Sequence, residues 1–181
     1  MMRIDFKNCS EEELWLYVGK HLAIHGFEAV LVGGAVVSIY TEGAYESGDL
    51  DFIIQNLSKD RLPEVMKKIG FLKKGKNYIH PDCKHLFIEF PPGPLSIGED
   101  SSIKEIEREV HGSRIKILSP TDCIKDRLSS YIYFKARECF DQAILVAKAQ
   151  KFNKSALRRW CEGEGRVDVF KEFINQLEKL K

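Results

Sequence analysis

Two carboxylates constrain this chain most tightly. Asp49 and Asp51 stand at i and i+2 in the run DLDFII (49–54), whose other four residues are all apolar. A short apolar run of this kind reads as a buried strand. Side chains alternate along a strand, so Asp49 and Asp51 share one face while Leu50 and Phe52 take the other. Two like charges on such a strand are expensive to bury without a partner. The least costly resolution is a divalent metal at the strand's edge, because hard oxygen ligands suit Mg²⁺ or Mn²⁺. A third acid, Glu89, stands among the apolar residues of LFIEF (86–90). If that strand lies beside the first, the three acids converge. Such a donor set suits two ions about 3.5–4 Å apart clamping an in-line phosphoryl displacement. The plainer alternative pairs Glu89 with a lysine.

A second feature precedes the acids. FEAVLV (27–32) reads as a buried strand, Gly33-Gly34 follow, and residues 35–40 resume a helical pattern. A glycine turn between strand and helix presents backbone N–H groups to a phosphate, and the missing Cβ atoms permit close approach. Ser38 and Ser47 could add hydroxyl bonds to phosphate, or serve as local turn and helix bonds.

Around these lies a readable order of elements. Ser10 with Glu13 is a capping box for a helix running to His25, which Gly26 stops. A helix over 58–69 is expected with Ser58 as its cap and Gly70 at its close. Residues 78–79, 86–90, 103–110 and 114–118 read as strands, with His111-Gly112-Ser113 a tight turn. From Ser119-Pro120-Thr121-Asp122, a cap with proline at the first helical position, the pattern turns helical to the end. The plan is α+β over residues 1–118, followed by a helical region, 119–181, packed on that core. Tyr131, Tyr133 and Phe134 have core-like spacing, and Lys148, Lys151, Lys154, Arg158 and Arg159 read as a solvated basic face.

Composition narrows the function classes. The 181 residues are 44% hydrophobic and 30% charged, which excludes disordered, collagen-like and coiled-coil classes. With 28 basic against 27 acidic residues, net +1, no binding to nucleic acid through bulk charge is expected; DNA is not expected as a partner, and RNA would need a local patch. No apolar run is long enough to span a membrane, and no export signal is read at the start, so a cytoplasmic protein is expected. The five cysteines form no Cys-x-x-Cys pair and are expected as free thiols, with Cys123 and Cys139 packed as small hydrophobes. His80-x-x-Cys83-x-His85 fits no closed zinc pattern and reads as a solvated hairpin turn.

Gly33-Gly34, then Ser47-Gly48-Asp49-Leu50-Asp51, then the strand acid Glu89 resemble the polymerase β-type nucleotidyltransferase superfamily. Within it, the chain is similar to small stand-alone nucleotidyltransferase-like proteins, including the abortive-infection toxin branch. The resemblance implies a mixed nucleotidyltransferase-like sheet with flanking helices and a helical C-terminal third. It implies a nucleoside triphosphate held at Gly33 and Gly34, and Mg²⁺ or Mn²⁺ on Asp49, Asp51 and Glu89. The nucleotidyl group would pass to a hydroxyl of a protein, RNA or small molecule. Lys125 and Asp141 match a helical lysine and aspartate of such relatives. One departure stands out: no basic residue lies between Ala35 and Gly48, where relatives carry one, and Lys125 or Arg127 would have to meet the phosphates instead. The departure also keeps open a second reading, a nucleotide-binding regulatory module of toxin–antitoxin type that has lost turnover.

Overall fold

The structure, a computed structural model, describes residues 3–56 and 59–180. Helix α1 (Glu11–Ile24) opens with the expected capping box: Ser10 Oγ accepts from the Glu13 N–H at 3.2 Å, and Glu13 Oε2 accepts from the Ser10 N–H at 2.9 Å. Strand β1 (Ala29–Val32) runs through the glycine turn into helix α2 (Gly34–Tyr40), and strand β2 (Asp49–Ile54) follows. The acids' strand therefore has the bounds its apolar pattern predicts.

The next helix differs from expectation. A short 3₁₀ turn over Lys59–Arg61 leads into α3 (Leu62–Lys68), whose cap position, Arg61, makes no side-chain bond. Pro63 fits this start, since the missing N–H of a proline costs nothing in a first helical turn. The expected cap Ser58 lies outside the described residues.

Strands β3 (Leu72–Lys74), β4 (Asn77–His80), β5 (Cys83–Glu89), β6 (Glu105–Val110) and β7 (Ser113–Leu118) complete one mixed sheet in the order β3-β4-β5-β2-β1-β7-β6. β1 is antiparallel to β2 and parallel to β7; β2 is parallel to β5. β3 carries no apolar alternation and its three residues are exposed. Its backbone pairing with β4, closed by Gly75 at φ 63°, makes it a strand. The turn between β6 and β7 places His111 and Gly112 at φ 46° and 78°, the left-handed pair that two-residue hairpins favour.

Helices α4 (Pro120–Phe134), α5 (Arg137–Ala149), α6 (Lys154–Gly163) and α7 (Val167–Lys179) follow. Ser119 Oγ accepts from Asp122 N–H at 3.1 Å to start α4. These helices are fastened to the preceding elements by polar bonds. Gln150 Nε2, at the end of α5, donates to the Tyr40 carbonyl at 2.9 Å, and Trp160 Nε1 on α6 donates to the Ile97 carbonyl at 3.1 Å. Leu31, Leu50, Phe52 and Ile88 on one sheet face, with Phe140 and Phe173 of the helices, belong to one continuous core. The core spacing of the α4 aromatics holds in part: Tyr131 packs against Phe140, whereas Phe134 is 81% exposed. The basic residues from Lys148 to Arg159 are exposed, as expected. No helix of the described residues is long and apolar enough to cross a membrane.

Candidate active site

Parallel pairing of β2 with β5 puts Asp51 directly beside Glu89, and Asp49 beside Phe87. The three acids thus share one sheet face, because paired residues point the same way and i, i+2 residues repeat it. Leu50, Phe52 and Ile88 are fully buried on the opposite face, which fixes the register: a one-residue slip would drive the acids into the core. Antiparallel pairing also sets Val32, the last residue of β1, beside Asp51. Gly33 follows at φ 77° and ψ −153°, a region essentially reserved for glycine. A Cβ built there would lie 2.7 Å from Asp51 Oδ2, and one at Gly34 would collide with Ser47 Oγ. The glycine pair is therefore required by the acids' proximity as well as by the turn.

Two of the three acids have a polar partner. Ser47 Oγ donates to Asp49 Oδ1 at 2.7 Å, and the Ser47 N–H donates to Glu11 Oε1 at 2.9 Å. Lys76, in the β3–β4 turn, reaches Glu89 Oε1 at 3.1 Å, because Asn77 is paired with Glu89. Glu89 thus shares a sheet face with the aspartates and pairs with a lysine. Among the described residues, Asp51 has no such partner. Burial first, then the charges of Asp49 and Glu89, push its carboxyl up to about 6, with Arg127 offsetting part of the effect. No three oxygens, one from each acid, lie within 4.8 Å of one another.

Arg127 on α4 lines a cleft of about 280 Å³ with Gly33, Asp51, Pro92, Pro94 and Asp126. Its Nη2 and Nε donate to Asp126 Oδ2 at 2.6 and 3.1 Å, and its Nη1 donates to Gln142 Oε1 at 3.3 Å. The other candidates lie elsewhere. Lys125 Nζ pairs with Asp122 Oδ1 at 2.9 Å and Asp100 Oδ2 at 3.2 Å, and faces a different cavity with Glu99, Arg159 and Trp160. Asp141 is exposed beside Arg137 and takes no part in holding Lys125. Ser38 is buried in α2 and does not line the cleft.

Three contributors escape sequence reasoning. Glu11 reads as an acid favoured by the helix dipole, yet it is buried and holds the Ser47 backbone. Asp126 reads as a helix-surface charge and the sequence singles out no role for Lys76; only the packing of α4 and the register of β4 bring them to the site. No motif marks any of the three.

This sheet order, glycine turn and acid face define a nucleotidyltransferase-like fold. Solved structures carry the same fold at low sequence identity. An antigenic nucleotidyltransferase-like protein from Paracoccidioides brasiliensis is 13% identical with a TM-score of 0.59, covering 90% of this chain and 92% of its own. The antibiotic-resistance factor ANT(2″)-Ia in solution is 11% identical, with a TM-score of 0.54 and coverage of 95% and 96%. Its complex with adenylyl-2″-tobramycin is 10% identical, with a TM-score of 0.54 and coverage of 90% and 95%. No protein-family model and no curated protein matches the sequence.

Proposed function

We propose that this chain is a metal-dependent nucleotidyltransferase that moves a nucleotidyl group from a nucleoside triphosphate to an acceptor hydroxyl. The observation that carries this reading is the register that sets Asp51 beside Glu89, with Asp49 on the same face and Gly33 against Asp51. The donor set fits Mg²⁺ or Mn²⁺. Asp49, Asp51 and Glu89 offer only carboxylate oxygens, and Asn77, paired with Glu89, buries its Oδ1 without a donor. An oxygen-only set of this charge suits a hard cation. Bound there, such ions would neutralise the triphosphate and polarise the reacting phosphorus.

The chain's own residues supply positioning. The Gly33-Gly34 backbone can approach the phosphates closely because no Cβ intervenes. Arg127 offers the planar fork that phosphate oxygens favour. Its place in the cleft answers the lack of a basic residue between Ala35 and Gly48, and favours turnover over an inactive regulatory module. In the reaction, the acceptor oxygen forms a bond to the α-phosphorus. The bond from that phosphorus to the bridging oxygen breaks, pyrophosphate leaves with the electron pair, and the hydroxyl proton passes to a carboxylate oxygen of Glu89. Lys76 is 80% exposed, so releasing Glu89 from it costs little.

The likeness to ANT(2″)-Ia, seen with an adenylylated small molecule, makes a small-molecule hydroxyl the first acceptor class to test, ahead of RNA or protein. The test is pyrophosphate release from ATP, GTP, CTP or UTP with Mg²⁺ or Mn²⁺ and pooled polyhydroxylated acceptors. Wild type should release it, and Asp49→Asn with Asp51→Asn should lower the rate at least about 100-fold. Equal rates in the two proteins would overturn the assignment.

A further inference from the structure

A second cluster stands apart from the carboxylates. Cys9, in the segment leading into α1, and Cys83, the first residue of β5, bring their sulfurs to 4.0 Å although 74 residues separate them. Both are buried, at 3% and 2% exposure. His85 lies two residues beyond Cys83 on β5 and so shares its face. One ligand atom from each of Cys9, Cys83 and His85 lies within 4.8 Å of the other two. The hairpin turn read from His80 to His85 is present. Its cysteine, however, is not solvated, because Cys9 folds against it.

We propose that Cys9, Cys83 and His85 form a binding site for one soft divalent cation, of which Zn²⁺ is the natural occupant. Ligand chemistry supports this first: two thiolates and an imidazole select zinc over the hard ions suited to the carboxylates. Geometry supports it next. Two sulfurs about 2.3 Å from a tetrahedral zinc stand about 3.8 Å apart, close to the 4.0 Å observed. A disulfide would need them at about 2.05 Å. The histidine is oriented as well: His85 Nε2 is 2.8 Å from the Cys9 carbonyl oxygen. A carbonyl only accepts, so Nε2 carries the proton and Nδ1 keeps its lone pair. Metal-bound histidines commonly donate their other ring N–H to a backbone carbonyl in this way.

The site has an entrance, since His85 also lines an open surface cavity with Lys7, Pro81, Asp82 and Lys84, and a fourth ligand position can be filled from there by water. Each thiol gives up one proton on loading, and the two thiolates balance the dication. The bound ion would tie the entry of α1 to β5, the strand that carries Glu89 farther along. The proposal does not depend on nucleotidyl transfer.

The test uses the full chain, reduced, stripped with a chelator and titrated with Co²⁺, then Zn²⁺. One Co²⁺ per chain should produce a sulfur-to-cobalt charge-transfer band that Zn²⁺ abolishes, and Zn²⁺ should raise the melting temperature. Cobalt on the carboxylates yields no sulfur band, so the two sites are read separately. Cys9→Ser should remove the band. His85→Ala, at an exposed position that leaves the core intact, should weaken affinity by more than about 100-fold. Absence of the band, its persistence in both variants, or a Cys9–Cys83 disulfide in a chain that takes up no metal when reduced would overturn the proposal.

Discussion

Replacing Asp51 with asparagine should stabilise the metal-free protein, and only at higher pH. Burial and the adjacent charges of Asp49 and Glu89 raise the Asp51 carboxyl from 3.8 to about 6. For an acid, a folded pKa above the unfolded one means that folding favours the protonated form. The destabilisation is therefore complete above about pH 6 and gone below about pH 4. A shift of about two units corresponds to about 3 kcal/mol, reduced to about 2 kcal/mol because the cleft side of the carboxyl is open to water. For a chain of this size that is about 4–8 °C in melting temperature. The assay is thermal unfolding of wild type and Asp51→Asn with chelator, across about pH 4 to 8. The variant should melt higher at the upper end, and the gap should close toward the lower. Adding Mg²⁺ or Mn²⁺ should shrink the gap at high pH by stabilising wild type alone. A variant no more stable than wild type at high pH, or a gap independent of pH, would mean that folding exacts no charge penalty at Asp51.

Gly33→Ala combines a glycine-only backbone region with a Cβ 2.7 Å from Asp51 Oδ2. It should cost at least about 1–3 kcal/mol in denaturant unfolding and abolish nucleotide binding by calorimetry. Arg127→Lys keeps the charge but loses the fork held by Asp126 and Gln142, and should weaken triphosphate binding at least about 10-fold in the same experiment. Lys125→Met leaves Asp122 and Asp100 without their cation and should destabilise by about 3–5 kcal/mol, while triphosphate affinity in the folded fraction stays unchanged. A Lys125 variant that folds normally but loses nucleotide would reverse the roles given to the two basic residues of α4.

Local rules made the acids' strand readable, and packing decided the rest of the site. DLDFII carries its burial and alternation in six letters, so β2 and the common face of Asp49 and Asp51 follow directly. Ser10 and Ser119 likewise announce their helices through hydrogen bonds made within three residues. Glu89 required an assumption about strand neighbours, which no local pattern encodes; the β2–β5 register supplies it. Lys125 and Arg127 are two positions apart on one helix and equally basic in sequence. The packing of α4 turns one to Asp100 and Asp122 and the other to the cleft. β3 escaped because LKK holds no apolar alternation and is made a strand by backbone pairing alone. Cys9 and Cys83 look unrelated along the chain, and only the fold joins them.

Following the two ends of the triphosphate distinguishes nucleotidyl transfer from other chemistry at this site. The protein is incubated with Mg²⁺ or Mn²⁺, acceptor, and nucleoside triphosphate labelled at the α- or the γ-phosphate. Nucleotidyl transfer predicts that the α-label moves to the acceptor while the γ-label leaves in pyrophosphate, and that Asp49→Asn with Asp51→Asn does neither. Transfer of the γ-label to the acceptor, or α-labelling that survives loss of both aspartates, would contradict the account.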